Sequence, residues 1–168
     1  IFVRLVGGLG NQLFIYAFGL AQARKSGKEL VIDDVSGFSH RDIYKAEFCL
    51  NVFPLRETLL SRTKFKYFVA NRYFWALVRR LGISHIEKDD SKYNYDATVD
   101  RSLFFEGYWQ SYLYFHEYKE VIKSKLQHVN REDSKIQGYK NQILKTENSV
   151  ALGMRFYESF AGDSERYA

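Results

Sequence analysis

Three short strings hold residues whose types and spacing suit chemistry. The first is Gly7-Gly8-Leu9-Gly10-Asn11-Gln12, between an apolar run and a helix-like pattern. A glycine turn that opens a helix presents free backbone N–H groups and the positive end of the helix dipole, which together receive phosphate. Glycine also allows close approach and positive φ. Gly8, Gly10, Asn11 and Gln12 are therefore candidate ligand residues. The same turn serves equally well as a plain strand-to-helix connection. It does not fit the dinucleotide fingerprint, because Leu13 stands where a third small residue belongs, nor the P-loop, because no Gly-Lys-Ser/Thr follows.

The second string is Gly107-Tyr108-Trp109-Gln110-Ser111, with Tyr114 and Phe115 beyond it. It follows an apolar run, Leu103-Phe104-Phe105, that reads as a strand. At the C-terminal end of such a strand, Trp109 can offer its face to a sugar and Gln110 its amide to hydroxyls. Alternatively, Tyr108 and Trp109 are packing residues and Ser111 caps the next helix. The third string, Ser149 to Arg155, is strand-like and ends in a guanidinium. A fixed, always charged fork at Arg155 suits a diphosphate and the charge on a departing group. An exposed arginine is the ordinary alternative. Asp33, Asp34 and Glu106 also end strands, where a carboxylate meets either a ligand hydroxyl or water. His40, His85, His116 and His128 have no metal-ligand spacing, so no metal site is expected.

The elements that must position these strings follow from periodicity. Ile1–Val6 and Glu29–Asp33 read as strands, and the apolar pattern from Asn11 to Lys25 as a helix stopped at Ser26-Gly27. Strand, glycine turn, helix and strand in about 33 residues form a βαβ unit with parallel strands and a right-handed crossover. Residues 55–82 read as helical, 83–100 as turn-rich with a short strand near Tyr93–Tyr95, 103–107 as a strand, 111–127 as a helix and 131–146 as a second, polar helix. The expectation is an α/β fold, a Rossmann-like parallel sheet with helices on both sides. One domain is expected over 1–148, with 149–168 starting a further region.

Composition narrows the classes. The chain has 168 residues, 46% of them hydrophobic, with 14 Phe, 13 Tyr and 2 Trp. That is enough apolar material for a core and too much for disorder. The formal charge of +5 fits an anionic small ligand, an acidic membrane surface or nucleic acid. The basic, aromatic stretch with Arg62, Lys64, Lys66, Arg72, Arg79 and Arg80 is either a solvated face or a contact with anionic headgroups. Cys49 is alone, so no intrachain disulfide forms, which suits a reducing compartment. Ile1–Val6 lacks the basic lead of a signal peptide. No apolar run is long enough to span a membrane.

Gly7-Gly8-Leu9-Gly10-Asn11-Gln12-Leu13-Phe14-x-Tyr16-Ala17-Phe18-Gly19 closely resembles the opening motif of the family-11 glycosyltransferases, the α-1,2-fucosyltransferases, above all the bacterial ones. The Gly107–Ser111 string resembles that family's second recurrent segment, in the same order. Ser149 to Arg155 lies where the family runs into His-x-Arg-Arg-Gly-Asp. There Arg155 matches the first arginine, Gly153 replaces the histidine, and Phe156-Tyr157-Glu158 replaces Arg-Gly-Asp.

The resemblance implies the first half of a two-domain GT-B enzyme. It would move L-fucose from GDP-fucose to the 2-hydroxyl of a galactoside by inverting, metal-free displacement. Asn11, with Gly8, Gly10, Gln12 and Arg155, would hold the donor, and Trp109, Gln110 and Asp33 would meet the acceptor. Arg155 is the expected catalytic residue, and Asp33, Glu106 and Glu158 are candidate bases. The expected place is the cytoplasm, peripheral to the inner face of a bacterial membrane, with no nucleic-acid partner. The chain stops before the family's second half. It is therefore expected to fold, to be catalytically silent by itself, and to self-associate through exposed apolar surface. Rival classes are another GDP-sugar transferase, a dinucleotide domain, and a basic RNA- or lipid-binding module without catalysis.

Overall fold

The computed structural model describes residues 1–38, 46–69, 71–87, 93, 99–127 and 134–150. It falls into two compact units, Ile1–Val129 and Asn130–Ala168. The first unit is a five-stranded parallel sheet flanked by helices, the α/β arrangement expected. The described part of the second carries one helix, Ser134–Lys145. The domain edge expected at 148 falls inside this second unit.

Strands β1 (Phe2–Arg4), β2 (Val31–Asp33), β3 (Thr58–Leu59), β4 (Ser84–Ile86) and β5 (Phe104–Glu106) stand in the order β3-β2-β1-β5-β4. The chain builds outward from β1 to β3, crosses to the far edge, and returns to lay β5 beside β1. Successive connections thus leave β1 in opposite directions. The crevice at the C-terminal ends of β1 and β5 is the topological switch point, where ligands of open α/β sheets bind.

Strand alternation divides the core in two. Val3, Ile32 and Phe105 face helix α1 (Leu9–Ser26) and pack with Ile15, Phe18 and Leu20. Phe2, Val31 and Phe104 face the opposite side, where α2 (Lys66–Val69) and α3 (Arg72–Arg80) bring Val69, Phe74 and Trp75. α1 is buried through the continuous stretch Ile15–Ala23, as a helix covering the middle of a sheet must be. It starts at Leu9, two residues before the expected Asn11, and closes on Gly27 at φ 65°.

Two helical readings give way to other structure. Within 55–82, Thr58 and Leu59 pair with Val31 and Ile32 as an edge strand, and the helices begin only at Lys66. Leu59 joins the α1-side core and Leu60 the α3-side core. Neighbours that face opposite ways are strand behaviour, which a helical period hides in so short a run. The helix expected over 111–127 is broken into 3-10 turns at Tyr112–Tyr114 and His116–Tyr118, then α4 (Lys119–Lys125). Phe115, at φ −144° and ψ 8°, interrupts it. β4 lies in the stretch read as turns. Of the short strand expected near Tyr93–Tyr95, only Tyr93 is described, and it is not in a strand.

Candidate functional site

After β1 the chain turns through Gly7, at φ 71°, into Gly8, the N-cap of α1. The first intrahelical bond runs from the Gln12 N–H to the Gly8 carbonyl. The amides of Leu9, Gly10 and Asn11 therefore have no acceptor within the helix. No side chain caps them, and no acidic residue occupies the first turn. Gly8, Leu9 and Gly10 are exposed.

The fold does not require glycine at two of these positions. Gly8 has φ −75° and ψ 179°, which any residue adopts. Gly10 is helical, where glycine is worse than alanine by about 0.5–1 kcal/mol. A Cβ placed on either meets no described atom within 4 Å. The space in front of them is open.

Asn11 and Gln12, adjacent in sequence, do different work. Gln12 is fully buried. Its amide donates to the carbonyls of Gly7 (2.8 Å) and Glu47 (2.7 Å), and its oxygen accepts from the Cys49 N–H (2.8 Å). It ties the 46–49 segment to the glycine turn. Asn11 is half-buried, and its oxygen accepts from the Gln110 amide at 2.7 Å. The two strings read from the sequence thus meet at one polar contact across 99 positions.

The turn after β5 is built against strain. Gly107 has φ 153° and Trp109 has φ 54°, the latter a conformation a bulky residue rarely takes, at a cost of about 1–3 kcal/mol. One carboxylate holds it. Glu87 Oε2 accepts from the N–H groups of Tyr108 and Trp109, each at 2.7 Å. A Cβ at Gly107 would lie 2.5 Å from Glu87 Cβ. Nothing in the residue pattern singles out Glu87, which opens a polar stretch directly after an edge strand.

Trp109 is wholly buried. Its ring stacks on Phe18 with centroids 3.9 Å apart and planes 3° from parallel, and the edges of Phe105 and Tyr114 close around it. Its indole N–H has no partner among the described residues. Of the packing and sugar-facing alternatives, this arrangement is the packing one. Gln110, the next residue, is exposed.

The acids at this edge are occupied. Asp33 is fully buried. Its Oδ1 accepts from the N–H groups of Val35 (3.0 Å) and Ser36 (2.8 Å), and its Oδ2 from the Ser36 hydroxyl. Asp34 accepts from the backbone and hydroxyl of Ser61. Glu106 pairs with Arg4 at 3.2 Å, whose other terminal nitrogen donates to the Ser36 carbonyl. What this edge leaves for a ligand is amide: the first-turn N–H groups, Asn11 and Gln110. Arg155 and Glu158 lie outside the described residues, and no described His, Cys, Asp or Glu join in a group of three able to hold a metal ion.

No family model matches the chain, and no solved structure matches it. It is similar to an alpha-1,2-colitosyltransferase of Escherichia coli, 27% identical over 157 residues, which is 90% of this chain and 52% of that protein. The chain therefore spans about half the length of the curated relative it matches.

Proposed function

We propose that this chain is the glycine-turn half of a sugar transferase, and that the edge between β1 and β5 receives the diphosphate of a nucleotide sugar. The observation that carries the reading is the pair of glycines the fold does not need. Gly8 and Gly10 keep side chains out of the space before free amides, as a bound phosphate requires. The similarity to a colitosyltransferase supports sugar transfer.

The donor proposed is GDP-fucose, and the acceptor the 2-hydroxyl of a galactoside. The acceptor oxygen bonds to the anomeric carbon as the bond from that carbon to the diphosphate breaks, and the hydroxyl proton passes to a base. Negative charge then grows on GDP. The first-turn amides of α1 and the fork of Arg155 stabilise it without a divalent metal. Asn11 and Gln110 orient the sugar nucleotide. The relative's name favours a second donor, a colitosyl one.

Calorimetry with GDP, GDP-fucose and NAD tests the site. GDP and GDP-fucose should compete, and Asn11→Ala should weaken both about tenfold, the loss of a hydrogen bond to a charged ligand. Binding of NAD that GDP does not displace would overturn the reading.

A further inference from the structure

We propose that the outward face of α2 and α3 docks the protein on an anionic membrane surface. Between Arg62 and Gly82 the sequence holds Arg62, Lys64, Lys66, Arg72, Arg79 and Arg80, and no Asp or Glu. These six cations exceed the +5 of the whole chain, so the remainder is slightly acidic. The positive charge is local in sequence: Arg79 reaches Glu106 at 4.0 Å, and Arg62, Lys64 and Arg80 are exposed.

The same face is apolar where a solvated helix would be polar. α3 turns Phe74, Trp75 and Val78 inward. On its outward side Tyr73, Leu77 and Leu81, spaced four apart, are 68%, 54% and 60% exposed, and Tyr67 of α2 is 72% exposed. Arg80 falls on the same stripe by helical spacing, and Arg62 and Lys64 are also exposed.

An acidic bilayer matches both halves of this chemistry. Tyrosine and leucine enter the boundary between headgroups and acyl chains while Arg and Lys reach the phosphates. A second copy of the chain matches less well, since two faces of the same charge repel. Single-stranded nucleic acid would use the cations and stack on the tyrosines, but Leu77 and Leu81 give a base nothing to stack on. The proposal stands apart from the sugar-transfer reading and survives if that reading fails.

The test is co-sedimentation of the chain with vesicles of phosphatidylcholine alone or with about one-third phosphatidylglycerol. Binding should need the acidic lipid and weaken as salt screens it. Lys64→Gln/Arg80→Gln should reduce affinity roughly 25-fold, about fivefold for each cation. Tyr73→Ser/Leu77→Ser should reduce it at least about tenfold through lost apolar contact. Both variants should keep the parent circular dichroism. No binding to acidic vesicles overturns the proposal. So does a Tyr73/Leu77 variant that binds as well as the parent, which would leave a purely electrostatic surface open to RNA. A dimer abolished by Tyr73→Ser/Leu77→Ser, with no lipid binding, would assign the face to a second copy.

Discussion

The two turns that meet at the switch point are built in opposite ways. The turn after β1 holds, beside Gly7, two glycines the fold could do without, and no side chain caps the amides that follow. The turn after β5 holds a glycine it cannot replace, a strained tryptophan, and a carboxylate committed to keeping both in place. One leaves open space before its glycines, the other is filled by a carboxylate. The rigid turn carries Gln110, whose amide donates to Asn11 at 2.7 Å and joins the two turns.

The largest effect should come from the rigid side. Glu87→Ala removes the acceptor of two backbone N–H groups and releases a turn that costs energy to hold. A loss of about 2–4 kcal/mol is expected, from hydrogen bonds to a charged group worth about 1.5–3 kcal/mol each less the strain relieved. Chemical denaturation measures it, and Glu87→Gln should recover part of the loss, because an amide oxygen still accepts. An unchanged midpoint for the alanine variant would mean the turn holds itself.

The open side should show the reverse. Gly10→Ala should raise stability by about 0.5–1 kcal/mol, as alanine does within helices, and yet weaken GDP binding about tenfold by filling the space before the amides. Thermal unfolding and calorimetry on one preparation decide it. Gain in both stability and affinity would return the turn to a plain connection.

A smaller effect marks a contact away from both turns. Glu57 is buried beside Lys125, whose Nζ lies 2.9 Å away. Burial opposes its ionisation, but the hydrogen bond and charge of Lys125, with the N–H groups of Glu57 and Arg56, outweigh it and hold the carboxyl below its usual range. Stability from this pair is complete above the ordinary carboxylate value and is lost as pH falls through the depressed one. Glu57→Gln should therefore flatten the acid limb of stability. The amides of Asn11 and Gln110 do not titrate, so a limb unchanged by this variant would shift the acid response to other carboxylates.

Much of the fold was readable because its signals are local. The βαβ start and the β5 strand are apolar runs bounded by glycine, and the structure has both. β3 was not readable: two residues carry no period, and only their pairing with Val31 and Ile32 makes them a strand. The site was legible as two strings but not in the duties of its members. Asn11 and Gln12 are chemically alike in sequence. Burial and three bonds make Gln12 a structural tie, while Asn11 keeps a polar edge near the surface. Asp33 ends a strand as a ligand carboxylate would, yet its oxygens are used by Val35 and Ser36, two and three positions on. Glu87 left no mark because its role depends on backbone N–H groups 21 and 22 positions away.

The central place of β1 also predicts an order of assembly. Its partner β2 lies 29 residues on in register, whereas β5 lies 102 on. Closing the longer loop costs about 1 kcal/mol more chain entropy, and its contacts must wait for β4 and the helices between. The unit around α1 is expected to form before the β1–β5 edge. Pulse-labelled hydrogen exchange during refolding should find the Val31 and Leu5 amides, bonded between β1 and β2, protected before that of Phe2, which bonds to Leu103. Simultaneous protection would mean the sheet closes in one step. With the expected order, a chain still emerging from the ribosome carries its glycine turn long before that turn meets its partner, because the Asn11–Gln110 contact is made only when residue 110 arrives.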